Sequence, residues 1–227
     1  MKLRTRLQRI AILPAVLVTS LTMLAPAHAA TSQEATFQAE NQAAMDQMIA
    51  GMNIKPTGDV DRDFAARMIP HHQGAIDMAQ SELRYGHNEQ LHRIAQEIVV
   101  EQLQEIAAMR LAIGEPASPT WVTSAAHDAA AAEANPGGDA PFVTRSNAAM
   151  DKMMTDMTVK PTGDVDRDFV AMMVPHHQGA IDMAQAELQY GQNPQLKTIA
   201  QEIIVDQMQE ITLMRLALVN SGKEYRS

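Results

Sequence analysis

The residues best able to do chemistry lie in two copies of one short string. Met68, His71 and His72 precede Met78, and the run from Pro70 to Gln80 recurs letter for letter as Pro175 to Gln185, with Met173, His176, His177 and Met183 in the matching places. On a helix at 100° per residue, Met68, His71, His72, Ala75 and Met78 share an arc of about 120°, so two imidazoles and two thioethers look the same way. That arrangement suits a soft metal. It equally suits a hydrogen-bonded structural pair, with Glu105 and Glu210 as candidate partners. His87 and His92 have Gln192 and Lys197 as counterparts, so the halves agree at the paired histidines and differ at the others.

Two more sets accompany the first. Met45, Met48 and Met52 stand at i, i+3 and i+7 and recur as Met150, Met153 and Met157, with Met154 added. Their thioethers share one helix face, which serves either metal ligation or the filling of an irregular core. Gln102, Glu105 and Met109 repeat the spacing, as do Gln207, Glu210 and Met214; isoleucines at 98, 106, 203 and 211 turn this stripe toward a core. Polar groups facing a core need partners, and the histidines of the neighbouring helix are the obvious ones. The pairs either orient ligating imidazoles or fix helix register. Glu97, Glu101, Glu202 and Asp206 read as a solvated face.

Ligand softness selects the metal. Thioether and imidazole favour copper, above all Cu(I), and silver; structural zinc sites take thiolates, and calcium or magnesium take several oxygens. The chain has no cysteine. In an oxidising compartment a thiol site risks disulfide formation, whereas methionine has no proton to lose and keeps its donor atom across pH.

The elements that must position these residues are helical. Shifting the sequence by 105 matches residues 43–112 to 148–217 at 50 of 70 positions, which is a duplication. The period exceeds that of solenoid repeats, so each copy is a bundle-sized unit; two bundles or one intertwined pair are expected. Within a copy, a first helix runs from about Ser32 to Met52 (from near Thr144 in the second) and ends near a Lys-Pro-Thr-Gly turn. Asp59 and Asp164 are predicted N-caps of a second helix, in which Pro70 and Pro175 predict a kink or break. Glycines 86 and 191 suit its end. A last helix covers about Asn88 to Ile113 and Asn193 to Asn220. Strand alternation is absent, so the class is all-α: two tandem helical units, 30–113 and 143–227. Residues 114–142 carry linker punctuation, with a short alanine-rich helix expected within Ser124 to Ala134.

Residues 1–29 read as a secretory signal peptide. Lys2, Arg4, Arg6 and Arg9 precede an apolar run too short to span a bilayer, and Ala27-His28-Ala29 offers the cleavage site. Its removal leaves 14 basic against 27 acidic residues, a formal charge of −13, with 15 methionines. Such a chain repels nucleic acid and anionic membranes. The expected location is periplasmic or secreted.

The strings Met68-Ile-Pro-His-His-Gln-Gly-Ala-Ile-Asp-Met78 and Gln102-Leu-Gln-Glu-Ile-Ala-Ala-Met109, each recurring with few changes, resemble the hallmark of the domain of unknown function 305 family. The resemblance covers about 70 residues per copy and implies ferritin-like helical bundles. Tandem-copy members of the CopM type imply periplasmic copper binding and copper resistance, with Cu(I) and silver as ligands. Met68, His71, His72, Met78, Met109 and their counterparts are then candidate positions, and the leading methionine stripe adds metal capacity.

A ferritin-like bundle raises a di-iron rival, which needs Glu-x-x-His on two helices. Glu89-Gln-Leu-His92 supplies one, but its counterpart reads Pro194-Gln-Leu-Lys197, so the symmetric half is missing. No nucleophile–base pair, phosphate loop or basic patch is present, and no enzymatic activity is expected. The reading is an exported protein that sequesters or carries Cu(I), with a periplasmic copper exporter or chaperone as partner. The alternative is a metal-free helical interaction module.

Overall fold

The computed structural model describes residues 25–118 and 140–224, and side chains over 32–118 and 140–220. The expected signal peptide core and the Ser124–Ala134 helix lie outside the described residues. Six helices are present: α1 (Ala25–Met52), α2 (Val60–Tyr85), α3 (Glu89–Ala112), α4 (Ala140–Asp156), α5 (Val165–Tyr190) and α6 (Pro194–Glu224).

Local chemistry sets most of these boundaries. Gly58 and Gly163 take φ of 88°, the left-handed region that closes the Lys-Pro-Thr-Gly turn without a side-chain penalty. The Asp59 and Asp164 side chains then accept from the backbone N–H of Arg62 and Arg167, each at 3.2 Å. Asp63 ties the turn to the helix by accepting from both the backbone N–H and the hydroxyl of Thr57; Asp168 does the same for Thr162. Asn88 and Asn193 cap α3 and α6 through their side-chain oxygens. Caps of this kind each contribute about 1 kcal/mol.

Two expectations are narrowed. Of the kink or break expected at Pro70 and Pro175 the break does not occur: α2 and α5 run on through them. Buried side chains on both sides, Met68 with His71 and Met173 with His176, hold the two segments in one packed layer, and packing overrides the local preference. Gly86 and Gly191 do close their helices, but with φ of −70° and −65°, open to any residue. What glycine gives there is space: a Cβ would press on the carboxyl group of Glu82 or Glu187, one turn back, and displace that buried side chain.

Each repeat is a three-helix unit, with α2 packed between α1 and α3, and α5 between α4 and α6. The units then join, α2 against α5 and α3 against α6, around a continuous core to which all six helices contribute. Phe37, Phe64, Phe142 and Phe169 are fully buried in it. Burial of such a ring is worth roughly 1.5–3 kcal/mol. The protein is all-α, two duplicated three-helix units, and among the described residues no helix is long and apolar enough to cross a membrane.

The repeats also cap one another. Asp166 accepts from the backbone N–H groups of His87 and Asn88 at 2.9 and 3.0 Å, at the start of α3. Asp61 does the same for Gln192 and Asn193 at the start of α6, both at 2.9 Å. Carboxylates here complement the positive end of a helix that belongs to the other repeat.

Candidate metal site

The histidine pairs project from the middle of α2 and α5, where small residues let those helices and their neighbours approach closely. A Cβ on Gly74 would stand 3.0 Å from the Met48 sulfur, and one on Gly179 would stand 2.8 Å from the Met153 sulfur. The missing side chains therefore make room for the methionine stripes of α1 and α4. All four imidazoles are fully buried as a result.

The pairs separate into an inner and an outer set. His71 and His176 face each other across the two repeats with ring centroids 3.7 Å apart, and His71 Nε2 lies 3.2 Å from Met153 Sδ. Neither His176 nitrogen, nor His71 Nδ1, has a hydrogen-bond partner. Burial first, and neighbouring imidazoles second, hold both residues well below the ordinary histidine value, so both rings are neutral at physiological pH. His72 and His177 form the outer set, with Nε2 2.8 Å from Glu105 Oε2 and Glu210 Oε2 respectively. A carboxylate accepts only, so Nε2 donates in each of these bonds, and the Nδ1 atom of each ring has no hydrogen-bond partner.

The remaining candidates fall into the same core. Met48, Met52, Met68, Met78 and Met109 are buried, as are Met153, Met157, Met173, Met183 and Met214. Met45 and Met150 are half-buried at its edge. Gln102 and Gln207 are buried with both amide atoms unpartnered, so the expected histidine partners went to Glu105 and Glu210 instead. Among the described residues no three His, Asp or Glu side chains converge on a point that could hold a metal. A site built here needs sulfur. Glu97, Glu101 and Glu202 are exposed as expected, while Asp206 is half-buried. Although its surface is largely open, partial desolvation and then the charges of Glu210 and Asp206 push Glu101 up to about 7.

Sequence reasoning missed two features. Read along the chain, each repeat carries its own ligand set, but the contact made is between His71 of one repeat and Met153 of the other. It also passed over Glu82 and Glu187, fully buried, with neither oxygen receiving a bond from a donor group. Burial first, then a hydrogen bond to Asp166, pushes Glu82 up to about 9; burial, then Asp61, pushes Glu187 up to about 8. The recurrence of a glutamate four residues before a glycine in both copies was the available signal.

No curated protein matches the chain. CopM in the Cu(I)-bound form is similar with a TM-score of 0.47 and 26% identity, covering 70% of this chain and 96% of that one. CopM in the Ag-bound form gives the same values. A DUF305 fragment from Deinococcus radiodurans is similar with a TM-score of 0.49 and 22% identity, covering 73% of this chain and 99% of that one. The sequence matches the family described as Domain of unknown function (DUF305) twice, over residues 8–113 and 119–218, once for each repeat, and the chain belongs to that family.

Proposed function

We propose that the protein binds Cu(I), and Ag(I) as its chemical mimic, in the core shared by the two repeats, and so sequesters or carries copper in an exported compartment. The carrying observation is the buried contact of His71 Nε2 with Met153 Sδ beside the unpartnered His176 ring. Neutral imidazoles and thioethers present lone pairs with no proton to displace, and the absence of cysteine keeps the set proof against disulfide formation. Met48 stands toward Gly74 as Met153 stands toward Gly179, which makes it the matching ligand from the first repeat. Glu105 and Glu210 orient His72 and His177 so that each Nδ1 is available to the same metal-binding core. The thioethers of Met68, Met78 and Met109, and of Met173, Met183 and Met214, line that core as further soft donors. A periplasmic or secreted location, with a copper exporter or chaperone as the exchanging partner, follows from the signal-like N-terminus.

Titration of the purified exported protein with Cu(I) against a competing chelator tests this. Binding is expected to prefer Cu(I) and Ag(I) over Zn(II), and His71→Ala alone is expected to weaken the site contributed by both repeats. Affinity no better than that of free methionine would overturn the proposal.

A further inference from the structure

Two of the exchanges between the repeats meet at a cavity of about 290 Å³ between α1 and the end of α4 with the start of α5. Met45, Met154, Met157 and Met172 line it, and its polar wall is Asp168 with the neutral side chains of Gln38, Asn41, Gln42 and Thr158. In the first repeat the position equivalent to Met172 is Arg67, and that equivalent to Met154 is Ile49. Arg67 is buried, donates from Nη1 to Asn147 Oδ1 at 2.8 Å, and has the Asp63 charge beside it. The first half thus carries its own cation where the second half carries none.

Asp168, the counterpart of Asp63, is 1% exposed. It accepts from the Thr162 backbone N–H and hydroxyl and from Gln38 Nε2, at 2.7 to 2.9 Å, all neutral donors. A buried carboxylate without a compensating cation is costly, and a cation placed nearby offsets that cost. Asn41, also 1% exposed, keeps Oδ1 unpartnered. The duplicated position has therefore lost a guanidinium and gained a thioether, a second extra thioether at Met154, and space.

We infer that this cavity is a second soft-cation site, distinct from the histidine cluster, taking one Cu(I) or Ag(I) ion on thioethers of Met45, Met154, Met157 and Met172 with Asp168 as its counter-charge. One carboxylate, already engaged by three neutral donors, is too little charge for a hard divalent ion, and zinc would favour thiolate or imidazole; the four thioethers that line the cavity select a monovalent soft ion. The inference shares the metal class of the reading above but none of its imidazoles, so the two stand or fall separately.

Silver nitrate titration of the exported protein with 13C-methyl-labelled methionine, followed by NMR, tests it. The methyl signals of Met45, Met154, Met157 and Met172 are expected to shift together as one equivalent binds, in the wild type and equally in a His71→Gln, His176→Gln variant. Met172→Arg restores the arrangement of the first repeat and is expected to lose that one equivalent. Met172→Leu keeps volume and neutrality, and is expected to lose it too, which decides the matter if the arginine variant fails to fold. Unmoved Met154 and Met172 signals at saturating silver, as for a cavity that holds only water, or full stoichiometry in Met172→Leu, would overturn the inference. Loss of every equivalent except this one in the histidine variant supports both sites, and retention of every equivalent there sinks the histidine reading alone.

Discussion

The carboxyl group of Glu82, at the end of α2, is hydrogen-bonded to Asp166 at the start of α5, so a carboxyl–carboxylate pair joins the two repeats. Glu187 and Asp61 form the same pair in the other direction. Asp166 and Asp61 each accept two backbone N–H groups as well, and burial keeps the proton on Glu82 and Glu187.

A raised carboxyl value has a definite sign. The folded state holds a proton that the unfolded chain releases near 4.5, so this stabilisation is complete below that value and is lost as pH rises through about 8 for Glu187 and about 9 for Glu82. The urea midpoint is expected to fall between pH 6 and pH 9.5. In the Glu82→Gln, Glu187→Gln variant, which cannot release that proton, the fall is expected to be much smaller. Parallel pH profiles for the two proteins would remove the clamp from the account.

Removing the acceptor tests the same joint from the other side. Asp166→Ala leaves the His87 and Asn88 backbone N–H groups without their partner and is expected to cost about 1–3 kcal/mol in chemical denaturation. Because Glu82 shares that partner, Glu82→Gln should cost less in the Asp166→Ala background than alone. Strict additivity would show the two to be independent.

The inner histidines act at the acid end. His71 and His176 are neutral when folded but take protons when unfolded below about 6.5, so stability is expected to fall as pH drops from 7 to 5. His71→Gln, which has no proton to gain, should flatten that limb. A wild-type melting temperature unchanged over this interval would contradict the burial-driven depression.

Gly179 sets how closely α5 approaches α4. Gly179→Ala places a Cβ 2.8 Å from the Met153 sulfur and 3.0 Å from its Cβ and Cγ, so it should cost about 1–3 kcal/mol and move Met153 away from His71. Gly74→Ala, whose nearest contact is 3.0 Å, should be milder. Thermal unfolding of both, with Ag(I) titration of each folded variant, gives the order; equal and negligible losses would show that the stripe repacks freely.

The sequence alone determined the class, the duplication, most helix ends and the shared face of the paired histidines, because these depend on spacing and short-range bonds. A cap such as Asp59 is legible three residues from its donor, and Met68, His71, His72 and Met78 share a face by helix geometry alone. It also offered Glu105 and Glu210 as candidate partners of the histidine pairs, since a buried polar group must find a partner on the adjacent helix, but the structure decided that His72 and His177 take them. Only the tertiary structure decided that His71 meets Met153 of the other repeat, that Asp61 and Asp166 cap helices more than 70 residues away, and that Glu82 shares a proton across the joint. Two copies of one pattern look independent along the chain, since nothing in their spacing says how they dock; that depends on which faces both halves leave uncovered once each has folded. The same docking turned the single exchange of Arg67 for Met172, unremarkable in the repeat alignment, into the difference between a filled position and a cavity.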